Sequence, residues 1–346
     1  MIGPMIAVSL LPVLLFLLLL ILLDSYKLVS PRSVGAAIAA GGVAAIGCLY
    51  LNRWLLGGVP APAYTRYVAP LLEEAAKALY VVFLVRGKRV GFLVDAAIYG
   101  FAVGTGFALV ENVDFLRAFG PASLFLWVVR GFGTAVMHGS TTSIFAILCK
   151  MLTDRHGALA PHLAAPGLGA AAAIHSAYNH LILPPLATTG LLLAVLPLLV
   201  VVVFERSERA TRHWLGVGFD TDADLLDQIL TGEVRETRVG AYLESLKSRF
   251  PGTVVADMLC LLRVRLELSM RAKGMLLARQ AGLKVPIDEQ VRASLEELRF
   301  LERSVGKTGR LAILPFVNQS ARDLWELYLL GGEGSYSSGK RVSRPA

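Results

Sequence analysis

The chain has 346 residues, of which 55% are apolar and 17% charged, and its mean hydropathy of +0.60 is too high for an ordinary soluble protein. Its net charge of +8 suits loops facing an anionic leaflet, and no interleaving of basic and aromatic residues points to nucleic acid. Three cysteines, Cys48, Cys149 and Cys260, form no CxxC pair, which excludes a disulfide framework and a thiolate zinc site and leaves them as inert core residues.

The charge divides the chain. From Glu205 onward lie 22 of the 34 basic and 19 of the 26 acidic residues. The expected class is therefore all-α: a polytopic transmembrane bundle over residues 1–204, a soluble helical domain over 205–330, and a disordered tail over 331–346. Ile6–Leu23 is a Leu-rich run about long enough for a hydrocarbon core of about 30 Å. Without a basic n-region or a small-residue cleavage site it reads as an uncleaved transmembrane helix. Val34–Leu56, rich in Ala and Gly, is a second span able to pack closely. GGVPAPAY, residues 57–64, reads as a turn.

The third span, Ala69–Val85, carries Glu73, Glu74 and Lys77. An ionisable group at the bilayer centre costs at least about 2.5 kcal/mol, so three within five residues mark function. Glu73 and Lys77, four apart, are expected to pair. The fourth span, Phe92–Leu116, has the GxxxG pair Gly100 and Gly104, then Gly106, Glu111 and Asn112. The fifth, Leu124–Leu148, holds Arg130, His138 and the hydroxyl run Ser140–Ser143. The sixth, Leu163–Leu183, holds His175, Asn179 and His180, with His175 and Asn179 four apart so that one can orient or assist the other. The seventh is Leu191–Phe204. Lys and Arg favour the first, third and fifth loops, which puts the N-terminus outside and the tail in the cytoplasm.

Beyond Glu205 the sequence predicts a helix start at Thr221, with Asp224 as an imperfect capping box. Further helices are expected over 236–249, 254–279, 288–305 and 319–330.

Counted from the outer ends at 1.5 Å per residue, Glu74 and Glu111 lie roughly 8 to 9 Å deep, His175 roughly 13 Å and His138 roughly 20 Å. Acids and imidazoles on four spans can hold a water, take its proton and supply donors to an oxyanion, with Glu73 or Glu74 the expected base and Lys77 holding the other in place. The same groups can ligate zinc, though without HExxH any metal must be clamped between separate helices, and the spacing leans slightly against one. Acids and histidines in spans also build proton relays, so a proton-coupled transporter is the competing class, with an inactive scaffold beside it. Asp95 and Arg130 read as structural partners.

EEAAK (73–77), GFALVEN (106–112), Arg130 followed by His138, and HSAYN (175–179), in this order on four successive spans, resemble the signature set of the PrsW family of intramembrane proteases. That family is akin to the group including the type II CAAX prenyl endopeptidases, and the resemblance covers about residues 67–204. It implies hydrolysis of peptide bonds in membrane-embedded substrates such as an anti-sigma factor. It also implies a site made of Glu73, Glu74, Glu111, His138 and His175, supported by Lys77, Asn112, Asn179 and Arg130. A divalent metal such as zinc, if used, would fall to His138, His175 and Glu111. The family is usually called metallo, whereas the related endopeptidases resemble glutamate enzymes. The stretch 205–330 has no counterpart in the minimal family pattern and is a candidate for binding a cytoplasmic partner.

Overall fold

A computed structural model of the chain describes residues 2–24, 29–55, 58, 60–119, 129–156, 160–180, 182, 184–283, 286, 288–317 and 330. The described residues are helical, with no strand among them. They fall into two compact units, residues 1–208 and 209–346.

In the first unit, α1 spans Ile2–Leu23, α2 Pro31–Leu55, α3 Ala69–Arg86, α4 Leu93–Phe119, α5 Ala135–His156 and α6 Pro161–Asn179. Proline opens α2 and α6, where its missing N–H has no partner to lose and its fixed φ suits the first turn. Among the described residues three helices are long and apolar enough to cross a bilayer, namely Pro31–Leu55, Leu93–Ala118 and Ala135–His156, and Leu11–Leu22 is a shorter apolar stretch. The protein is thus an all-α membrane bundle. Its centre is α4, which packs against α1, α2, α3 and α5 around Ile98, Phe101, Ala102 and Val103, all fully buried.

Small residues set those approaches. A Cβ on Gly106 would stand 1.8 Å from the carbonyl oxygen of Ile38 on α2, and one on Gly104 would stand 2.2 Å from that of His138 on α5. No side chain fits either gap, so α4 lies in backbone contact with both neighbours.

The observed elements correct several expectations. Residues 61–64 are not a turn: a helical turn at Ala61–Ala63 runs into the π-helical turn Tyr64–Val68 and on into α3. Pro62 sits in a first turn, where proline is tolerated. The fifth span ends later than expected: the π-helical turn Val129–Thr134 runs into the α-helix from Ala135, which continues to His156 instead of ending at Leu148. It carries Lys150 without breaking, since that ammonium bonds Asp154 one turn on at 2.5 Å. Asp95 meets no arginine in its described contacts; its Oδ2 accepts from the backbone N–H groups of Gly91 and Phe92, and the Arg130 side chain lies outside the described residues.

The helix expected to end near Phe204 continues as α7, Pro185–Thr231, through the boundary between the units. Thr221 starts nothing: it lies inside α7 and its hydroxyl bonds the Val217 carbonyl one turn back. In the second unit α8 is Arg238–Leu246, α9 Gly252–Gln280 and α10 Glu289–Val317. Thr237 caps α8 by accepting from Gly240 N–H, and Asp288 stands at the start of α10 accepting from Val291 N–H. α10 is interrupted at Gly306 (φ 69°), a backbone state suited to glycine. Leu261 and Leu268 of α9 and Leu295, Leu298 and Leu301 of α10 form the core there. Cys260 is exposed, unlike the buried Cys48 and Cys149. The helix expected over 319–330 and the tail over 331–346 lie outside the described residues, Leu330 excepted.

Candidate functional site

α3 presents Glu73, Glu74 and Lys77 to the inside of the bundle. Glu74 and Lys77 are 2% and 0% exposed, and Lys77 Nζ donates to Glu74 Oε1 at 2.6 Å. The expected Glu73–Lys77 pair does not form. Residues three and four apart are both neighbours on a helix, and the acid that wins is the one whose face also meets α5 and α6. Glu74 Oε1 accepts from His175 Nδ1 at 2.8 Å and from the Thr141 hydroxyl at 3.0 Å. Three donors converge on one buried carboxylate oxygen.

The two histidines meet edge to face, with ring centroids 4.9 Å apart. The Lys77 ammonium donates to His138 Nδ1 at 3.0 Å, which leaves His138 Nε2–H to donate to Glu111 Oε2 at 2.8 Å. Phe107 of α4 floors this corner, 5.0 Å from the His138 ring and 4.9 Å beneath the ammonium. His138 thus sits with the other groups. Its counted depth of roughly 20 Å had set it apart from them.

Glu73 points to the other side of His175, its Oε2 standing 3.8 Å from His175 Nε2. Its Oε1 accepts from Asn52 Nδ2 at 3.2 Å, and Asn52 Oδ1 accepts from the Tyr64 hydroxyl at 2.6 Å. The three acids differ in access: the side chains of Glu74, Glu73 and Glu111 are 1%, 12% and 29% exposed.

Six expected residues therefore converge: Glu73, Glu74, Lys77, Glu111, His138 and His175. Asn112 is buried one position beyond Glu111. Asn179 does not orient His175; it donates to the Thr65 carbonyl at 2.9 Å, and Glu74 orients the ring instead. His180 packs edge-on against Tyr67. Sequence reasoning passed over Asn52, Tyr64 and Thr141. A lone amide near the end of an apolar helix and one hydroxyl in a run of four were the only signals they gave.

Glu73, His138 and His175 each offer a ligand atom within 4.8 Å of the others. Two imidazoles and a carboxylate are the donor set of catalytic zinc. The Glu74 carboxylate behind His175 Nδ1 is the outer-shell partner that fixes a ligating ring with Nε2 free. For His138 to offer Nε2 its proton there must leave, so cation binding at that ring is linked to proton release. The donors fit a divalent metal, against the slight lean drawn from spacing, and the carboxylate that groups with both imidazoles within 4.8 Å is that of Glu73, where Glu111 was expected.

Comparison with curated proteins and with solved structures gives no match. The sequence model of the family described as PrsW family intramembrane metalloprotease matches residues 30–204, a little over half of the chain and the whole of the polar cluster. This protein belongs to that family and is an integral-membrane protease acting on membrane proteins.

Proposed function

We propose that this enzyme hydrolyses peptide bonds of membrane-embedded substrates, an anti-sigma factor being one class, at a centre made of Glu73, Glu74, Glu111, His138 and His175. The observation that carries the reading is the placement of one carboxylate and two imidazoles, from α3, α5 and α6, within 4.8 Å of one another. Glu73, His138 and His175 would hold a divalent cation such as zinc. When bound, that cation supplies a water acidified to a pKa near 7 and polarises the scissile carbonyl.

The remaining work belongs to the chain's own groups. Glu74 accepts from His175 Nδ1–H and so keeps the Nε2 lone pair on the Glu73 side. Lys77 balances the Glu74 charge and holds His138 by Nδ1. Glu111 is the most exposed of the three acids and is already hydrogen-bonded at His138 Nε2. It takes the proton of the attacking water and returns it to the leaving amine. In this reading Glu74 orients, Glu73 ligates and Glu111 moves the proton, in place of the expected base Glu73 or Glu74. Lys77, Asn112, Asn179 and Arg130 are supporting residues in this reading.

The topology that goes with it has seven spans in a bacterial cytoplasmic membrane, the N-terminus outside and residues 205–330 in the cytoplasm, where they are free to meet a partner. The test is cleavage of a membrane-embedded peptide by the purified protein, with and without chelator. Activity lost to chelator and restored by zinc is expected; chelator-resistant cleavage would remove the metal, and cleavage by Glu73→Gln and His175→Ala would remove the site.

A further inference from the structure

The carboxylate of Glu73 is held from a direction that the family's motif residues do not supply. Asn52 lies near the C-terminal end of α2, and its amide nitrogen donates to Glu73 Oε1 at 3.2 Å. Its other end is held too, since the Tyr64 hydroxyl donates to Asn52 Oδ1 at 2.6 Å. The orientation of the amide follows from these two neighbours. A flipped Asn52 would set its oxygen against a carboxylate oxygen, whereas the arrangement described gives each atom a complementary partner.

Tyr64 is itself fixed. It is 1% exposed and opens the π-helical turn Tyr64–Val68, the wide kind of turn that recurs at functional sites. That turn is tied to α6 at two positions just beyond His175. Ser176 Oγ donates to the Arg66 carbonyl at 2.6 Å, and Asn179 Nδ2 donates to the Thr65 carbonyl at 2.9 Å. A continuous path of hydrogen bonds thus runs from the helix bearing His175, through the π turn and Asn52, to the carboxylate facing His175 Nε2.

We propose that Asn52 and Tyr64 are positioning residues that fix the rotamer of Glu73, with Ser176 and Asn179 latching their support to the helix of His175. With Oε1 occupied by the Asn52 amide, Oε2 is the oxygen turned to His175 and to the reacting centre. Neither residue touches substrate; both act through Glu73. This inference rests on the role given to Glu73 above.

The test uses the full-length protein in detergent or vesicles, with a membrane-embedded peptide as substrate. Asn52→Leu should lower kcat about 10–100-fold, the loss found when an outer-shell partner of a site is removed, with KM little changed. Tyr64→Phe keeps the ring and loses only the hydroxyl, and should lower kcat about 2–10-fold. Because Tyr64 acts through Asn52, the double variant should be no slower than Asn52→Leu alone. A merely structural role would give additive losses that track thermal stability. Zinc affinity, measured by competition with a chelator, should weaken about 10–100-fold in Asn52→Leu, a readout that needs no turnover. If Asn52→Leu does not assemble, Asn52→Asp, of nearly equal shape and with no amide donor, takes its place. Unchanged kcat and zinc affinity in the Asn52 and Tyr64 variants, with cleavage abolished in Glu73→Gln, would overturn the relay alone. Full cleavage by Glu73→Gln would overturn the relay together with the reading beneath it.

Discussion

Each unit of the molecule buries a lysine against an acid, and the two surroundings differ. In the membrane unit Lys77 is fully buried and bonds Glu74 at 2.6 Å. In the C-terminal unit Lys273, 3% exposed, bonds Asp222 at the same distance. Both ammonium groups lie near an aromatic ring, Phe107 for Lys77 and Trp214 for Lys273, a favourable electrostatic contact. Beyond the pair the two diverge. Asp222 also accepts from the Ser269 hydroxyl, a group that does not titrate. Glu74 also accepts from His175, and Lys77 reaches on to His138, which reaches Glu111. A buried acid shared between an ammonium and a hydroxyl ties helices together. A buried pair that leads to further ionisable groups has the makings of a reacting centre.

The sharpest way to break the comparison is at its acid–imidazole end. Glu73→Gln and His175→Ala should each cut cleavage of a membrane-embedded peptide by at least about 10²–10⁴-fold while membrane insertion is unchanged. Removing Lys77 should come next. Lys77→Met leaves Glu74 buried without its cation, a loss of about 3–5 kcal/mol in stability, and it frees His138, so cleavage per folded molecule should fall as well. Lys273→Met is the counterpart. Asp222 is partly exposed, so the loss should be nearer about 1.5–3 kcal/mol, read from the unfolding midpoint, with kcat unchanged. Equal losses of kcat in the two methionine variants would erase the distinction between the pairs. Their double variants sharpen it: Lys273→Met with Asp222→Leu should regain most of the lost stability, because no charge is left buried. Lys77→Met with Glu74→Leu should not regain cleavage, because His175 has lost its orienting acid.

Gly104→Ala probes the frame and not the chemistry. Its Cβ would meet the His138 carbonyl oxygen at 2.2 Å, so α4 and α5 must part. Overpacking of this kind costs about 1–3 kcal/mol. A shift of about 1 Å in the His138 ring would lower kcat on the order of 10²-fold. Thermal unfolding and kcat measured on one preparation separate the two effects.

Much of this centre was legible in the chain because lipid makes charge conspicuous. Glu73, Glu74, Lys77, Glu111, His138 and His175 stand out from apolar surroundings, and all six converge. Pairing was less legible. Along α3 the spacings Glu73 to Lys77 and Glu74 to Lys77 are nearly equivalent, and only the arrival of His175 and Thr141 on one face decides between them. Helix ends were less legible still. The fifth span was expected to stop at Leu148, but Lys150 and Asp154 neutralise each other within α5 and let it run on to His156. Thr221 and Asp224 imitated a helix start inside α7 because a threonine hydroxyl bonds a carbonyl one turn back as readily as it caps. Asn52 and Tyr64 were invisible because neither is charged, and the path joining them to Glu73 crosses from α2 to the π turn before α3.

The smallest expected effect lies at Thr141. Its hydroxyl donates to Glu74 Oε1 at 3.0 Å and stands 3.2 Å from the His138 carbonyl, so among the three donors on that oxygen it is the hydroxyl, beside an ammonium and an imidazole. Thr141→Val keeps the side-chain shape and removes the donor. Lys77 and His175 still satisfy Glu74, and the loss should be that of one hydrogen bond to a charged group, about 1.5–3 kcal/mol at most. Cleavage should fall only a few-fold, because the Glu74–His175 bond that sets the tautomer is untouched. A loss of kcat as large as that of His175→Ala would mean that the hydroxyl, and not the ammonium, holds Glu74 in place, and the likeness between the Lys77 and Lys273 pairs would then be one of appearance only.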